Sequence, residues 1–150
     1  MPNLAINKRA TFDYEILEKF EAGLVLSGQE VKSVRNGLAS LKGAYVTINN
    51  KQEAYLINAS IPAYKMAGPL PDYDPTRSRK LLLHQKEINY LARKTQQIGL
   101  TLVPLSLYTK GRKIKLELAL GKGQKKADKR EKIKARDTKK DLQRLMRQKF

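Results

Sequence analysis

The clearest strand in the chain is Lys113-Ile114-Lys115-Leu116-Glu117-Leu118-Ala119-Leu120, in which every second residue is a large aliphatic one. Such alternation with a period of two residues is typical of a β-strand that buries one face. The pattern stops at Gly121-Lys122-Gly123, and residues 124–150 contain neither glycine nor proline. This stretch therefore predicts the last strand of a folded body, followed directly by a segment of another kind.

Further short strands are predicted upstream. Residues 45–48 and 54–57 are rich in β-branched and aromatic side chains, and they flank the polar stretch 49–52. This arrangement predicts a hairpin. Residues 103–107 also alternate, but Pro104 cannot donate a hydrogen bond to a neighbouring strand. Their strand is therefore expected at a sheet edge or with a bulge.

Two helices are predicted from capping and spacing. Ser27 and Glu30 have the S-x-x-E spacing of a capping box, which predicts a short helix over residues 28–36. Residues 85–98 place their apolar side chains on one helical face, and Gly99 is a typical C-terminal stop.

Two other segments are less regular. Residues 13–26 fit the period of a helix as well as that of a strand, but Gly23 disfavours a continuous helix, so two strands bent near residues 21–23 are expected. Residues 62–79 hold four of the six prolines, which predicts a long loop. About six short strands with two or three short helices predict a mainly β fold, a small antiparallel barrel. A doubly wound α/β sheet fits less well because the helices do not alternate regularly with strands.

The charge of the chain indicates a polyanionic partner. The formal net charge is +17, and residues 121–150 alone contain 13 basic and four acidic side chains, a net +9 (13 − 4). Attraction to the phosphates of a nucleic acid is the simplest use of such a field. There is no cysteine, no apolar leader and no apolar run near the ~20 residues that span a bilayer. We therefore expect a cytoplasmic location and no membrane association.

Residues 123–150 are expected to form a basic tail, separate from a body over residues 1–122. The large apolar residues of the tail are too sparse to form a core. Acid–base pairs three or four residues apart add about 0.2–0.5 kcal/mol each to a helix, which does not offset the mutual repulsion of the excess positive charges. The tail is therefore predicted to be disordered when free and helical once phosphates neutralise it.

Enzymatic chemistry has little support in the sequence. The only histidine, His84, lies at a predicted strand–helix junction, and Asp72 and Asp74 lie in the proline-rich segment, where they are expected to form turns. A metal site needs further oxygen ligands, and no P-loop, serine hydrolase or zinc protease motif occurs. No catalytic residue, metal site or cofactor is expected.

Basic residues near turns and helix ends are candidates for a phosphate-binding face. They are Lys8, Arg9, Lys32, Arg35, Arg77, Arg79, Lys80 and Lys122. Glu30 has two alternative roles: it caps its own helix, or it accepts hydrogen bonds from base or ribose donors. Its spacing from Ser27 favours the cap.

Several motifs together resemble the family of SsrA-binding proteins. They are Asn7-Lys8-Arg9-Ala10, residues 14–26, Gly28-Gln29-Glu30-Val31-Lys32-Ser33, residues 74–83, residues 99–104, residues 116–123 and Asp128-Lys129-Arg130. The resemblance covers essentially the whole chain. It implies an OB-fold-like barrel that binds the tRNA-like domain of transfer-messenger RNA (tmRNA) and delivers it to stalled ribosomes for trans-translation. It also implies that the tail probes the empty mRNA channel near the small-subunit decoding centre. The free chain is expected to be a monomer.

The resemblance places Glu30 at the RNA, with capping as a secondary role. Taken with the basic residues above, the RNA-binding candidates are Lys8, Arg9, Glu30, Lys32, Arg35, Arg79 and Lys122. The candidates for ribosome contact are Asp128, Lys129, Arg130, Lys132, Lys134 and Arg136. The family usually has an aromatic residue or histidine where this chain has Ala127. The alternative function is a general single-stranded RNA-binding protein of the same fold.

Overall fold

The computed structural model describes residues 3–123. Within them it has seven β-strands and three short α-helices. The strands are β1 (Asn3–Ile6), β2 (Tyr14–Leu24), β3 (Tyr45–Ile48), β4 (Ala54–Ile57), β5 (Arg79–Leu82), β6 (Leu100–Lys110) and β7 (Lys113–Gly123). The helices are α1 (Ala10–Asp13), α2 (Gly28–Arg35) and α3 (Gln85–Lys94).

Six of the strands close into a ring. Around the barrel their order is β6-β3-β4-β5-β2-β7, and pairing of β7 with β6 completes the circuit. β1 and β3 pair with different parts of β6, and all strand pairs are antiparallel. The predicted small antiparallel barrel of about six strands is therefore confirmed. In residues 3–123, none of the helices has the length and apolar character needed to span a bilayer.

β7 ties the barrel together. Its 11 residues pair with β2 on one edge and with β6 on the other. Three leucines at alternate positions are at most 2% exposed and point into the core: Leu116, Leu118 and Leu120. Gly121 permits a close approach, since a Cβ there would lie 3.1 Å from the Cβ of Tyr14 and 3.2 Å from Cγ2 of Val103. The alternating stretch therefore forms the strand that the pattern predicts.

β2 differs from its prediction. It is one strand of 11 residues, so the expectation of two strands bent near residues 21–23 was wrong. The register shifts between Ile16 and Glu18, which marks a bulge at Leu17. Gly23 lies inside the strand and is paired with both β5 and β7. The local irregularity is thus near the start of the strand rather than at the glycine.

The other elements follow their predictions with one change of length. α2 and the β3–β4 hairpin are confirmed, and β6 has a register shift next to Pro104, which is the expected bulge. α3 ends at Lys94 instead of residue 98. There the backbone bonds change to an i+3 pattern, as from the Gln96 N–H to the Arg93 carbonyl (3.3 Å), which tightens and ends the helix.

The proline-rich segment between β4 and β5 is the expected loop. Its only regular element is a 3₁₀ turn at Lys65–Ala67. Two hydrogen bonds fasten it to α2: the Ser33 hydroxyl donates to the Pro62 carbonyl (2.6 Å), and the Tyr64 N–H donates to Oε1 of Gln29 (2.9 Å). The loop therefore covers part of α2 and shapes the surface around it.

Candidate nucleic-acid interface

A buried ion pair lies beneath this covered helix. The side chains of Glu30, in the first turn of α2, and Arg79, at the start of β5, are both 0% exposed. Oε2 of Glu30 accepts hydrogen bonds from Nε (3.1 Å) and Nη2 (2.8 Å) of Arg79. Nη1 of Arg79 donates to the carbonyl of Ala59 (2.7 Å). The pair joins α2 to the barrel wall.

Local sequence explains why both side chains point inward. The capping box is formed, because Oε1 of Glu30 accepts from the Ser27 N–H (2.9 Å) and the Glu30 N–H donates to Oγ of Ser27 (3.4 Å). Glu30 also lies three and four residues before Ser33 and Val34, which are buried on the same helical face. Arg79 shares the inward face of β5 with Leu81, two residues on.

Two residues of the proline-rich loop complete the network. Arg77 donates from Nε to Oε2 of Glu30 (3.1 Å) and from Nη2 to Oε1. The Tyr73 hydroxyl lies within hydrogen-bond distance of Oε2 of Glu30 (3.1 Å) and of the Ile61 carbonyl (2.7 Å), which share its single proton, and it accepts from Arg79. Burial and the nearby Glu30 carboxylate raise the pKa of Tyr73, so its hydroxyl keeps its proton. The Glu30 carboxylate therefore links α2, the proline-rich loop and β5 of the barrel through hydrogen bonds.

The same contacts keep Glu30 ionised. Burial by itself raises the pKa of this carboxyl group. The hydrogen bonds that it accepts from Arg77, the Ser27 backbone and Arg79 outweigh burial and lower the pKa to about 2. Because the folded-state value lies below the ordinary 4.5, the stability that Glu30 contributes is complete above pH 4.5 and is lost as the pH falls toward 2.

This linkage predicts acid sensitivity. Protonation of Glu30 is expected to remove about 3 kcal/mol of unfolding free energy between pH 5 and pH 2, measured by urea unfolding of the full chain. Glu30→Gln should flatten this part of the pH profile, because its side chain does not titrate. The matched change Glu53→Gln, at an exposed pair with Lys80, should leave most of the slope. Equal slopes in wild type and Glu30→Gln would contradict the prediction.

Cationic residues on α2 and in the loops beside it are grouped here, with Tyr64, as the α2 patch. It comprises Lys32, Arg35, Tyr64, Arg77 and Arg112. The Lys32 ammonium lies 5.5 Å from the centroid of the Tyr64 ring, a cation–π contact. Nη2 of Arg35 donates to the Arg112 carbonyl in the β6–β7 turn (2.8 Å). The patch therefore spans α2, the proline-rich loop and one end of β7.

Three other predicted residues lie near the start of β2, here called the β2-start cluster: Lys8, Arg9 and Lys122, the last of which lines a separate groove beside α3. Lys8 and Arg9 lie between β1 and α1, which leads directly into β2, and Lys122 pairs with Glu15 of β2. Both Lys8 and Arg9 line an open groove of about 710 Å³ between β1 and β3. All three side chains are exposed, although Arg9 also pairs with Asp13 at 3.6 Å.

The predicted cations thus lie in two regions, near the two ends of β7, rather than on one surface. Lys113 and Lys122 mark these ends, and nine residue steps along the strand (122 − 113) separate them by roughly 30 Å. Glu30 and Arg79 belong to neither the α2 patch nor the β2-start cluster, because neither side chain has any exposed area. Their direct contact with RNA stays a prediction, and it would require the network to open. The tail candidates Asp128, Lys129, Arg130, Lys132, Lys134 and Arg136 lie outside the described residues.

Sequence reasoning did not single out Tyr64, Tyr73 or Arg112. A tyrosine in a loop of prolines and polar residues was an available signal, because such a loop offers no core of its own to bury it. Asp74 forms a turn as expected: its Oδ1 accepts from the N–H (2.9 Å) and hydroxyl (3.0 Å) of Thr76. Among residues 3–123, no three acidic, histidine or cysteine side chains are grouped so that they could hold a metal ion.

Comparison with known proteins identifies close relatives. A family model described as "SmpB protein" matches residues 4–148. An SsrA-binding protein of Mesoplasma florum is 52% identical over 134 residues, which is 89% of each chain. One from Gloeothece citriformis is 50% identical over 141 residues, covering 94% of this chain and 90% of its own. A solved structure described as "tmRNA-SmpB: a journey to the center of the bacterial ribosome" contains a chain with a TM-score of 0.67 and 42% identity, covering 85% of this chain and 92% of that one.

Proposed function

The chain belongs to the SmpB protein family, and on that ground we propose that it is an RNA adapter that binds the tRNA-like domain of tmRNA and delivers it to stalled ribosomes for trans-translation. The observation that carries this proposal is the 52% identity to an SsrA-binding protein over 89% of both chains. The tmRNA–SmpB ribosome structure, similar over 85% of this chain, supports the same two partners.

The two cationic surfaces suit such an adapter. The α2 patch and the β2-start cluster lie near opposite ends of β7, so each can meet a different surface of a large RNA assembly. Residues 1–120 carry 18 basic and 10 acidic side chains, a net +8 (18 − 10), so the body attracts phosphate without help from the tail. We assign RNA contact to Lys8, Arg9, Lys32, Arg35 and Lys122. Glu30 and Arg79 hold the α2 patch in place from below.

The tail has a separate role in this proposal. The structure includes Gly123 in β7, so the tail begins after it. We propose that residues 124–150 are disordered in the free protein and fold into a helix in the vacant mRNA channel of the stalled ribosome. Asp128, Lys129 and Arg130 then act near the decoding centre, with Lys132, Lys134 and Arg136 beside the channel RNA. Support comes from the net +9 of residues 121–150 and from their lack of glycine and proline beyond Gly123.

The proposed adapter performs no catalysis. It acts as a monomer in the cytoplasm, where its RNA partners are. The side chains of the two cationic surfaces are donors of hydrogen bonds and positive charge, which bind phosphate but do not by themselves form a nucleophile–base pair.

Salt dependence tests how the body binds RNA. If binding engages 6–10 phosphates, affinity for the tRNA-like domain is expected to fall by ~10³–10⁵ between 50 and 200 mM salt, because bound counterions are released. Filter binding or fluorescence anisotropy on the full chain measures the slope. Poly-U at equal nucleotide concentration is the control competitor. If it displaces the tRNA-like RNA readily, the protein is a general single-strand binder instead.

A further inference from the structure

At the start of α2, two guanidinium groups face one carboxylate. Arg77 and Arg79 both donate to Glu30, so the three formal charges sum to +1. The side chain of Arg79 is 0% exposed, whereas that of Arg77 is 39% exposed. Within residues 3–123, Glu30 is the only carboxylate that forms an ion pair with Arg77. The excess positive charge of the network therefore reaches the surface through Arg77.

The network does not need Arg77 in order to keep Glu30 paired. Without Arg77, the carboxylate still accepts two hydrogen bonds from Arg79, one from the Tyr73 hydroxyl and one from the Ser27 N–H. A buried charge is costly when its partner is removed, but here a full ionic partner remains. The opposite change, loss of Arg79, would leave Glu30 with only the half-exposed Arg77 as a counter-ion.

From this asymmetry we propose that Arg77 is a phosphate-binding residue that exchanges Glu30 for a backbone phosphate of the bound RNA. Arg79 retains the carboxylate while Arg77 turns outward. The planar fork of a guanidinium matches the oxygens of a phosphate as well as those of a carboxylate, so the exchange replaces one charge-assisted pair by another. This inference rests on the proposed RNA-binding function and adds the site at which one phosphate is held.

The neighbouring side chains favour a phosphate at this position. Lys32 brings a second cation to the α2 patch, held over the ring of Tyr64 at 5.5 Å. Tyr64 is itself fixed to α2 through its N–H and Gln29 (2.9 Å). Arg77 stands in the loop, two residues before β5 begins, so its side chain can turn without moving α2. A single phosphate group of RNA would neutralise the net charge of +1 that Arg77, Arg79 and Glu30 carry together.

The salt slope of RNA binding tests the proposal on the full chain. Arg77→Gln is expected to reduce the slope of log affinity against log salt by about 0.7–0.9, the range for one phosphate contact on a single strand or a double helix. Relative to a 1 M reference, that change corresponds to about five- to eightfold weaker binding at 0.1 M salt. The matched control is Lys19→Gln, which removes the same charge from an exposed pair with Glu117 (3.7 Å) and should leave the slope unchanged. A loss of stability alone would not alter this slope.

A second measurement follows the exchange itself. In NMR spectra of the guanidinium Nε–H groups, RNA binding should move the Arg77 signal, while the Arg79 Nε–H should stay protected from exchange with water because it remains bonded to Glu30. An unchanged salt slope in Arg77→Gln, or an Arg79 Nε–H that loses its protection when RNA binds, would overturn the proposal. Affinity lost only for RNA with one altered base would also overturn it, since a base contact would then be indicated. If the wild-type chain binds the tRNA-like domain no better than poly-U, the proposed function itself fails, which is a distinct result.

Discussion

Glu30→Gln is expected to lower the free energy of unfolding by about 3–5 kcal/mol at neutral pH, the usual cost of leaving a buried ionic partner uncompensated. The change keeps the size of the side chain but removes the charge that Arg79 needs, because the guanidinium of Arg79 is 0% exposed. It also places amide hydrogens against donors from Arg79 or Arg77. Urea unfolding of the full chain, followed by circular dichroism, measures the loss.

The matched control is Glu53→Gln. Its carboxylate pairs with Lys80 at 3.2 Å, but both side chains are partly exposed, so a loss of about 0–1 kcal/mol is expected. If Glu30→Gln cost no more than Glu53→Gln but weakened RNA binding, Glu30 would act at the RNA and the structural role would be wrong. This comparison decides between the two roles that the sequence leaves open.

Ending the chain after Gly123 is expected to abolish peptide tagging of a message that lacks a stop codon, while affinity for the tRNA-like domain changes little. The barrel is complete at that point, because β7, the last of the six ring strands along the chain, ends at Gly123. The removed residues carry none of the α2 patch and none of the β2-start cluster. A tagging reporter in cells and RNA binding in solution give the two measurements.

A single substitution separates loss of the tail from loss of the helix that we propose for it. Ile133→Pro should disable tagging as the truncation does, because proline in a helix interior costs about 3 kcal/mol or more. Ile133→Ala keeps helix propensity and is the matched control. Parallel loss of tagging and RNA affinity in the truncated chain, or loss of neither, would contradict the division of roles between body and tail.

Local patterns were sufficient for the elements whose cause is local. The alternation of residues 113–120 predicts β7 because aliphatic side chains at every second position form the face of the strand that is buried in the core. The capping box predicts α2 because both of its hydrogen bonds join Ser27 and Glu30, which are only three residues apart in the sequence. β2 was harder, since a bulge at Leu17 arises from pairing with β7, which lies far away in the sequence.

The site depends on contacts that no short pattern contains. Glu30 and Arg79 are 49 residues apart in the sequence, and their pairing needs the closed barrel to bring α2 beside β5. An indication of Arg79's orientation was nevertheless present, because it stands two residues before Leu81 and so shares its buried face. Arg77 stands two residues before Arg79, but it lies outside β5, where the alternation of buried and exposed side chains does not apply.

The last residue of β7 is still bonded to the barrel, since the Gly123 N–H donates to the Gly99 carbonyl at 3.2 Å. The residues after Gly123 therefore continue from a fixed point on the barrel wall. An extended chain advances at most about 3.6 Å per residue, so Arg130, seven residues on (130 − 123), can reach no farther than about 25 Å from Gly123. If Arg130 contacts the ribosome as proposed, Gly123 at the barrel wall must lie within that distance of the contact.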